Sequence, residues 1–149
     1  MSGLAIRHLK NIDIDDEFIK VSKKDTIFEI ASKMEEKEVC DLESDEMLCT
    51  PILAAYVLEG KKPVGVIYKK DIIKSIIIDG KDPKKTTASQ VMNEPICLSV
   101  NDGIEDAVNV ILDKGLLTIA ILDGDEFSSV ISVFDAIYLR ETIDDMELS

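Results

Sequence analysis

Apolar residues recur at helical spacing in two separated stretches of the chain. The first stretch contains Ile27, Ile30, Ala31 and Met34, and the second contains Ile104, Ala107, Val108, Ile111 and Leu112. This i, i+3, i+4, i+7 spacing predicts two amphipathic helices, each with one buried stripe. Thr26 with Glu29 is a capping-box pattern, and Asp102 with Glu105 repeats it, so Thr26 and Asp102 are the predicted N-caps.

Two pairs of apolar runs predict two β-hairpins. Residues 54–58 and 64–68 flank Glu59 and Gly60, and residues 118–122 and 128–132 flank Asp123 and Gly124. An acidic residue followed by glycine favours a tight turn, because glycine adopts positive φ without strain. Strands that are apolar nearly throughout are expected to be buried on both faces. Short strands at residues 18–21 and 96–100 are predicted to open the two sets of elements.

These elements form an internal repeat. Leu58 precedes Asp71 by 13 positions, and Leu122 precedes Asp135 by the same number, but the first copy carries about 13 extra residues near positions 36–50. We therefore predict an α+β fold with two β-α-β-β-α units related by a pseudo-twofold axis. Residues 1–80 would hold an N-terminal segment and the first unit with its inserted acidic loop. Residues 81–149 would hold the second unit and an acidic C-terminal end.

Charge and composition narrow the partners. Thirty acidic and 17 basic residues give a formal net charge of −13, which disfavours nucleic acid and anionic membranes. No apolar run approaches the roughly 18 residues of a membrane span, and the N-terminus lacks a signal-peptide core. Cys40, Cys49 and Cys97 are odd in number and widely spaced, which argues against a disulfide framework. The expected location is the cytoplasm.

The segment around each aspartate resembles the signature of the CBS domain family, named after cystathionine β-synthase. That signature is a glycine or small residue, two apolar residues, serine or threonine, two variable residues and aspartate. Residues 65–71 read Gly-Val-Ile-Tyr-Lys-Lys-Asp, and residues 129–135 read Ser-Val-Ile-Ser-Val-Phe-Asp. Residues 88–96 resemble the family's lead-in to a second domain. The resemblance covers roughly residues 15–141 and implies a tandem CBS pair.

The resemblance also implies an adenosyl ligand, commonly AMP, ADP, ATP or S-adenosylmethionine, bound in clefts between paired domains and signalling to a partner protein. A carboxylate at a helix N-terminus can accept bonds from both ribose hydroxyls, which is the expected role of Asp135, while Ser132 would bind a phosphate. The family positions imply a base lined by Met92, Ile96, Cys97, Leu116, Leu117 and Thr118. The simpler alternative is that Asp135 caps its helix and Ser132 ends a strand.

The first copy departs from this pattern. Asp71 is present, but Tyr68 stands where serine or threonine is expected. The phenol could stack on a base or fill the phosphate position, and Lys69 could supply positive charge or be an exposed helix residue. Both interpretations of this site stay open.

A regulatory ligand-sensing module is the favoured function. No catalytic triad, P-loop, dinucleotide fingerprint or metal-ligand spacing is present in the sequence, so neither an enzyme nor a metal site is expected. The alternative is a ligand-free dimerisation scaffold, which Tyr68 and Ser129 favour because both depart from the signature. The regulated partner is not identified.

The helices also predict a homodimer. Apolar residues occupy one helix at Ile72, Ile73, Ile76 and Ile77 and another at Ile30, Ala31 and Met34. Stripes that remain exposed after a pair of units has folded are typical of interfaces between identical subunits.

Overall fold

The protein folds as the repeat predicts, in two β-α-β-β-α units, and the computed structural model describes residues 4–9, 17–41, 43 and 48–148. The strands are β1 Phe18–Val21, β2 Val39–Asp41, β3 Leu48–Thr50, β4 Ala54–Glu59, β5 Lys62–Tyr68, β6 Cys97–Ser99, β7 Thr118–Asp123 and β8 Glu126–Ser132. The helices are α1 Ile27–Lys37, α2 Lys69–Ile72, α3 Ala88–Val91, α4 Ile104–Lys114 and α5 Val133–Leu148. A 3-10 turn spans Ile6–His8, and a π-helical segment, Ile73–Ile78, continues α2.

The two three-stranded sheets share one topology. In the order β1-β4-β5, β1 is parallel to β4 and β5 is antiparallel to it; the order β6-β7-β8 repeats this arrangement. Tyr68 pairs with Ala54, and Ser132 pairs with Thr118 at the matching place. The strand register shifts at the equivalent position in both hairpins. Asp71 and Asp135 therefore occupy equivalent positions after the last strand of their sheets.

Each sheet is covered by an apolar helix face. Ile27, Ile30 and Met34 of α1 are buried in the first core, and Ile104, Ala107, Val108 and Ile111 of α4 are buried in the second unit. Leu112, the last residue of the predicted stripe, is 37% exposed. The N-cap at Thr26 is confirmed by a 3.2 Å bond from the Glu29 N–H to Thr26 Oγ1.

The second N-cap prediction is wrong. Gly103 precedes α4, and Asp102 instead accepts a 2.7 Å bond from the backbone N–H of Ser99. The same turn occurs in the first unit, where Asp25 accepts from the N–H of Ser22 at 2.9 Å. Asp102 is therefore the counterpart of Asp25, and its carboxylate closes the turn before the helix.

The insertion contains paired strands where a loop was predicted. The α1 helix continues to Lys37, and β2 and β3 then form an antiparallel ladder that places Cys40 opposite Cys49 along the backbone. Residues 42 and 44–47 of the predicted loop lie outside the described residues. The acidic C-terminal end is helical, since α5 extends to Leu148.

The chain packs into two compact units, and their boundaries differ from the predicted division at residue 80. Residues 4–9 belong with residues 96–148, which we call the second unit, and residues 17–95 form the first unit. Ile6 is 4% exposed in the second core, and Leu4 accepts a 3.0 Å bond from the N–H of Ile104. The linker does the same for the first unit, where Thr86 accepts from the N–H of Ile27 at 2.9 Å. Each unit is thus completed by a segment that precedes the other unit in the sequence.

Candidate functional site

Asp135 and Ser132 form a reciprocal pair at the junction of β8 and α5. The Ser132 N–H donates to Asp135 Oδ2 at 3.0 Å, and the Asp135 N–H donates to Ser132 Oγ at 3.2 Å. This is a capping box, so the simpler role considered for these residues is present. Asp135 is half-buried, and its other oxygen, Oδ1, accepts no bond from the part of the chain that the structure describes. One carboxylate oxygen therefore caps the helix and the other is available to a ligand.

Most of the residues predicted to line the second-copy site lie at one end of the strands of the second sheet. Thr118 pairs with Ser132, and both are nearly fully buried. Leu117 is 41% exposed, and its carbonyl accepts a 2.8 Å bond from the first N–H of α5. Ile96 and Leu116 pack against the second core, and the Ile96 carbonyl accepts from the N–H of Ala120 at 2.9 Å.

Cys97 is the first residue of β6, at the same end of the sheet, and is half-buried. Burial raises the pKa of the Cys97 thiol, because the thiolate would lose hydration. The thiol is therefore neutral at physiological pH.

Met92 lies in the first unit, unlike the other residues predicted for this site. It packs on the first core, beside Gly65 of β5. A methyl group added at Gly65 would lie 2.3 Å from Met92 Sδ and 2.7 Å from Met92 Cβ. The glycine of the signature therefore makes room for the linker to lie against β5.

Asp71 is held by two donors in the first unit. Its Oδ2 accepts from the Tyr68 N–H at 2.8 Å and from Asn93 Nδ2 at 2.8 Å. Tyr68 is half-buried at the end of β5, and its backbone N–H does for Asp71 what that of Ser132 does for Asp135. Sequence reasoning missed Asn93, although it lies inside the lead-in segment 88–96. Its contact with Asp71 joins residues 22 positions apart, which helical or strand periodicity does not predict.

A polar cavity of about 230 Å³ adjoins Asp71 and Asn93. Its lining consists of polar side chains with one valine: Asp71, Lys74, Ser75, Asp79, Lys81, Gln90, Val91 and Asn93. Lys74 forms a 3.2 Å ion pair with Asp79. The lining thus holds two carboxylates, two side-chain amides and two ammonium groups, which can bond a ligand that carries hydroxyls and negative charge.

Lys69 lies outside the lining of the Asp71 cavity. Its Nζ bonds Glu38, and both line a larger cleft of about 610 Å³ with Ala31, Met34, Glu35, Ile72 and Ile73. The suggestion that Lys69 supplies charge beside Asp71 therefore has no support in this geometry. The lysines that line that cavity are Lys74, one helical turn after Asp71, and Lys81.

The contact between Lys69 and Glu38 has an expected pH signature. The hydrogen bond from Lys69 is the main cause that lowers the pKa of Glu38 below its ordinary 4.5, with burial opposing it. A carboxyl with a lower pKa in the folded state stabilises the fold above its unfolded pKa, and this contribution is lost as pH falls through the folded pKa. We expect Lys69→Met to reduce that acid-dependent loss, and the effect to be small because both side chains are partly exposed.

Urea unfolding of wild type and Lys69→Met between about pH 7 and 3 measures this difference. Lys70→Met is the matched control, since Lys70 is the exposed neighbour of Lys69 in α2. Parallel stability curves for wild type and Lys69→Met would show that the ion pair contributes nothing.

The described residues contain neither a candidate metal site nor a candidate membrane-spanning helix. Within residues 4–9, 17–41, 43 and 48–148, no group of three or more histidine, cysteine, aspartate or glutamate residues could hold a metal ion. Among the same residues, no helix has the length and apolar character needed to cross a membrane.

Comparisons with known proteins agree with this geometry. The sequence model of the CBS domain family matches residues 9–78. A CBS domain protein from Pyrobaculum aerophilum, complexed with AMP, has a TM-score of 0.72 at 16% identity, over 98% of this chain and all of that one. The cytosolic domain of the Mg²⁺ channel MgtE in complex with ATP has a TM-score of 0.64 at 16% identity, over 83% of this chain and 45% of that chain.

One curated relative matches by sequence, an uncharacterized protein from Methanopyrus kandleri. The two are 26% identical over 131 residues, which cover 83% of this chain and 60% of that protein. The chain therefore spans about three fifths of the length of this relative.

The two units have the fold of a tandem pair of CBS domains, since the solved neighbours match nearly the whole chain. The family model matches the first unit directly, and the second repeats its topology, register and aspartate position. The fold is therefore that of a pair of CBS domains, and the family model itself covers the first unit.

Proposed function

We propose that this protein is a regulatory module that binds an adenosine nucleotide, or a related adenosyl ligand, and passes the bound state to a partner protein. The observation that carries the proposal is the half-buried Asp135 at the start of α5, whose Oδ1 accepts no bond from the described residues. That oxygen can accept a ribose hydroxyl, and Oδ2 can accept a second one while it keeps its cap bond.

The surroundings of Asp135 support the same ligand class. Leu117 has an exposed apolar side chain at the end of the sheet that also holds Thr118, Ser132 and Asp135. Cys97 adds a neutral thiol at the start of the neighbouring strand. An apolar surface for a base beside a carboxylate for a sugar is the combination that a nucleoside requires. Structures of this fold complexed with AMP and with ATP make AMP and ATP the first ligands to test.

A thermal-shift screen with AMP, ADP, ATP and S-adenosylmethionine tests the proposal. A ligand that binds only the folded state at about 100 times its Kd should add roughly 2.7 kcal/mol to the free energy of unfolding. NADH serves as a larger adenosine-containing comparison. If none of these ligands raises the melting temperature at millimolar concentration, the ligand-free dimerisation scaffold becomes the better description.

We also propose that the protein is a homodimer. Of the residues expected to stay exposed, Ile30 and Met34 are instead buried in the first core. Ile73 and Ile77 are 51% and 74% exposed on the helix that follows Asp71, and Ile78 beside them is 72% exposed. On α5 of the second unit, Phe134 and Tyr138 are 53% and 63% exposed. Apolar side chains grouped in this way favour burial against another protein surface.

Light scattering at micromolar protein concentration measures the expected mass, twice the 16.5 kDa of one chain. Ile77→Glu should shift the protein towards monomer, because a buried interface would then hold an unpaired charge. Lys81→Glu, an exposed change soon after the same helix, is the control. A single 16.5 kDa species in wild type would refute the dimer.

A further inference from the structure

We propose that Asn93 is a positioning residue for Asp71, which makes a linker residue part of the first-unit ligand site. The inference rests on the proposed function, because it assigns a role at the site of an adenosine ligand. Asn93 Nδ2 lies 2.8 Å from Asp71 Oδ2, the oxygen that also accepts the Tyr68 N–H.

The two donors fix which way the carboxylate faces. Both bonds go to Oδ2, so Oδ1 of Asp71 accepts nothing from the residues that the structure describes and is left for a ligand. A carboxylate held by two donors on one oxygen has fewer orientations to lose when a ligand binds the other oxygen. The side-chain amide of Asn93 therefore acts on the ligand through Asp71.

Asn93 is itself fixed by the sheet. Its N–H donates to the Val66 carbonyl at 2.9 Å, and its carbonyl accepts from the Val66 N–H at 2.9 Å. Its Nδ2 also approaches the Val66 carbonyl at 3.4 Å. This isolated bridge ties the linker to β5 two residues before Tyr68, so the amide reaches Asp71 from a fixed backbone.

The departure at Tyr68 gives this contact its significance. In the second unit the Ser132 hydroxyl accepts the Asp135 N–H and completes a reciprocal capping box. Tyr68, at the matching position of the first unit, has no hydroxyl on its Cβ such as Ser132 uses for this bond. Asn93 supplies the second hydrogen bond at this junction, from the linker.

Calorimetric titration of AMP into the Asp135→Ala protein isolates the first-unit site. Adding Asn93→Ala should weaken AMP binding by about 2- to 10-fold, less than the loss of a direct bond to the ligand, because Asn93 acts only through Asp71. Glu94→Ala in the same background is the matched control, since Glu94 is the exposed linker residue next to Asn93. It should leave the affinity unchanged.

A ribose analogue separates positioning from a structural role. Asp71 is expected to bind the ribose hydroxyls, so 2′-deoxy-AMP should bind more weakly than AMP to the Asp135→Ala protein. Asn93→Ala should shrink that difference, because a misaligned carboxylate no longer discriminates between the two sugars. A general disturbance of the linker would weaken both ligands equally.

The outcomes are distinct. If Asn93→Ala leaves both AMP affinity and sugar discrimination as in its parent, or weakens both nucleotides equally, Asn93 is not a positioning residue and the proposed function stands. If wild type binds AMP but the Asp135→Ala protein binds none, Asp71 is not a ligand site and the inference fails alone. If wild type binds none of the screened adenosyl ligands, the proposed function itself fails.

Discussion

Asp135→Ala should weaken the binding of AMP at the second-unit site by about 10²-fold or more. A carboxylate that accepts two ribose hydroxyls makes two charge-assisted bonds, each worth roughly 1.5–3 kcal/mol, and about 1.4 kcal/mol corresponds to a tenfold change in affinity. Alanine removes both bonds. Calorimetry in the Asp71→Ala background measures the second site alone, with the same background carrying native Asp135 as the reference.

The capping box requires a second variant, because Asp135 also accepts the Ser132 N–H at 3.0 Å. Losing that bond should cost about 0.5–1.5 kcal/mol of stability, so Asp135→Ala changes folding as well as binding. Asp135→Asn retains one oxygen that can accept the cap bond, but it loses the charge and replaces the other oxygen with an NH2 donor. We expect it to keep most of the stability while its affinity falls by about tenfold.

The opposite pattern would remove the main support for ligand binding. If Asp135→Ala and its parent bind AMP equally while the melting temperature falls by several degrees, Asp135 is a helix cap and nothing more. If Asp135→Asn also weakens AMP binding but leaves the melting temperature unchanged, the loss of affinity comes from the carboxylate and not from the fold.

Gly65→Ala should destabilise the first unit by about 1–3 kcal/mol, the usual range for overpacking a buried site. The new Cβ would lie 2.7 Å from Met92 Cβ, and rotation of the Met92 side chain cannot relieve that contact. The Met92 N–H is already bonded to the Ala88 carbonyl at 2.9 Å. The linker backbone would therefore have to move away from β5.

Ser129→Ala is the matched control, because Ser129 holds the position of Gly65 in the second unit and already carries a Cβ. Ser129 is also buried, with 8% of the residue exposed. Urea unfolding followed by circular dichroism gives the loss of stability, and amide exchange assigns it to one unit. Replacing Met92 with glycine in the Gly65→Ala protein should recover part of the loss. Equal stability of Gly65→Ala and wild type would show that the linker has room to spare.

The sequence alone was sufficient for the repeated local elements. Helix faces, hairpins and the equal spacing from Leu58 to Asp71 and from Leu122 to Asp135 are patterns with periods of 2 or 3.6 residues, or fixed offsets. The registers confirm them, with Tyr68 and Ser132 at the ends of equivalent strands. The resemblance to CBS domains followed from two copies of one signature, and the fold bears it out.

The same patterns misplaced one cap, because an acidic side chain just before a helix can accept either from the helix or from the preceding turn. Asp102 was expected to cap α4, yet its carboxylate accepts from Ser99 in the preceding turn. Local sequence offers both partners, and only the backbone path of that turn decides between them.

Tertiary structure alone decided which residues meet across long separations. The sequence grouped the N-terminal segment with the first unit in residues 1–80, whereas Ile6 is buried in the second core and the backbone of its segment bonds the start of α4. It left Lys69 either as a charge beside Asp71 or as an exposed helix residue and did not single out Asn93, whereas Lys69 bonds Glu38 and Asn93 bonds Asp71. Periodicity fixes which face of an element is buried, but the partner across a gap depends on how separate elements pack, and no local pattern encodes that choice.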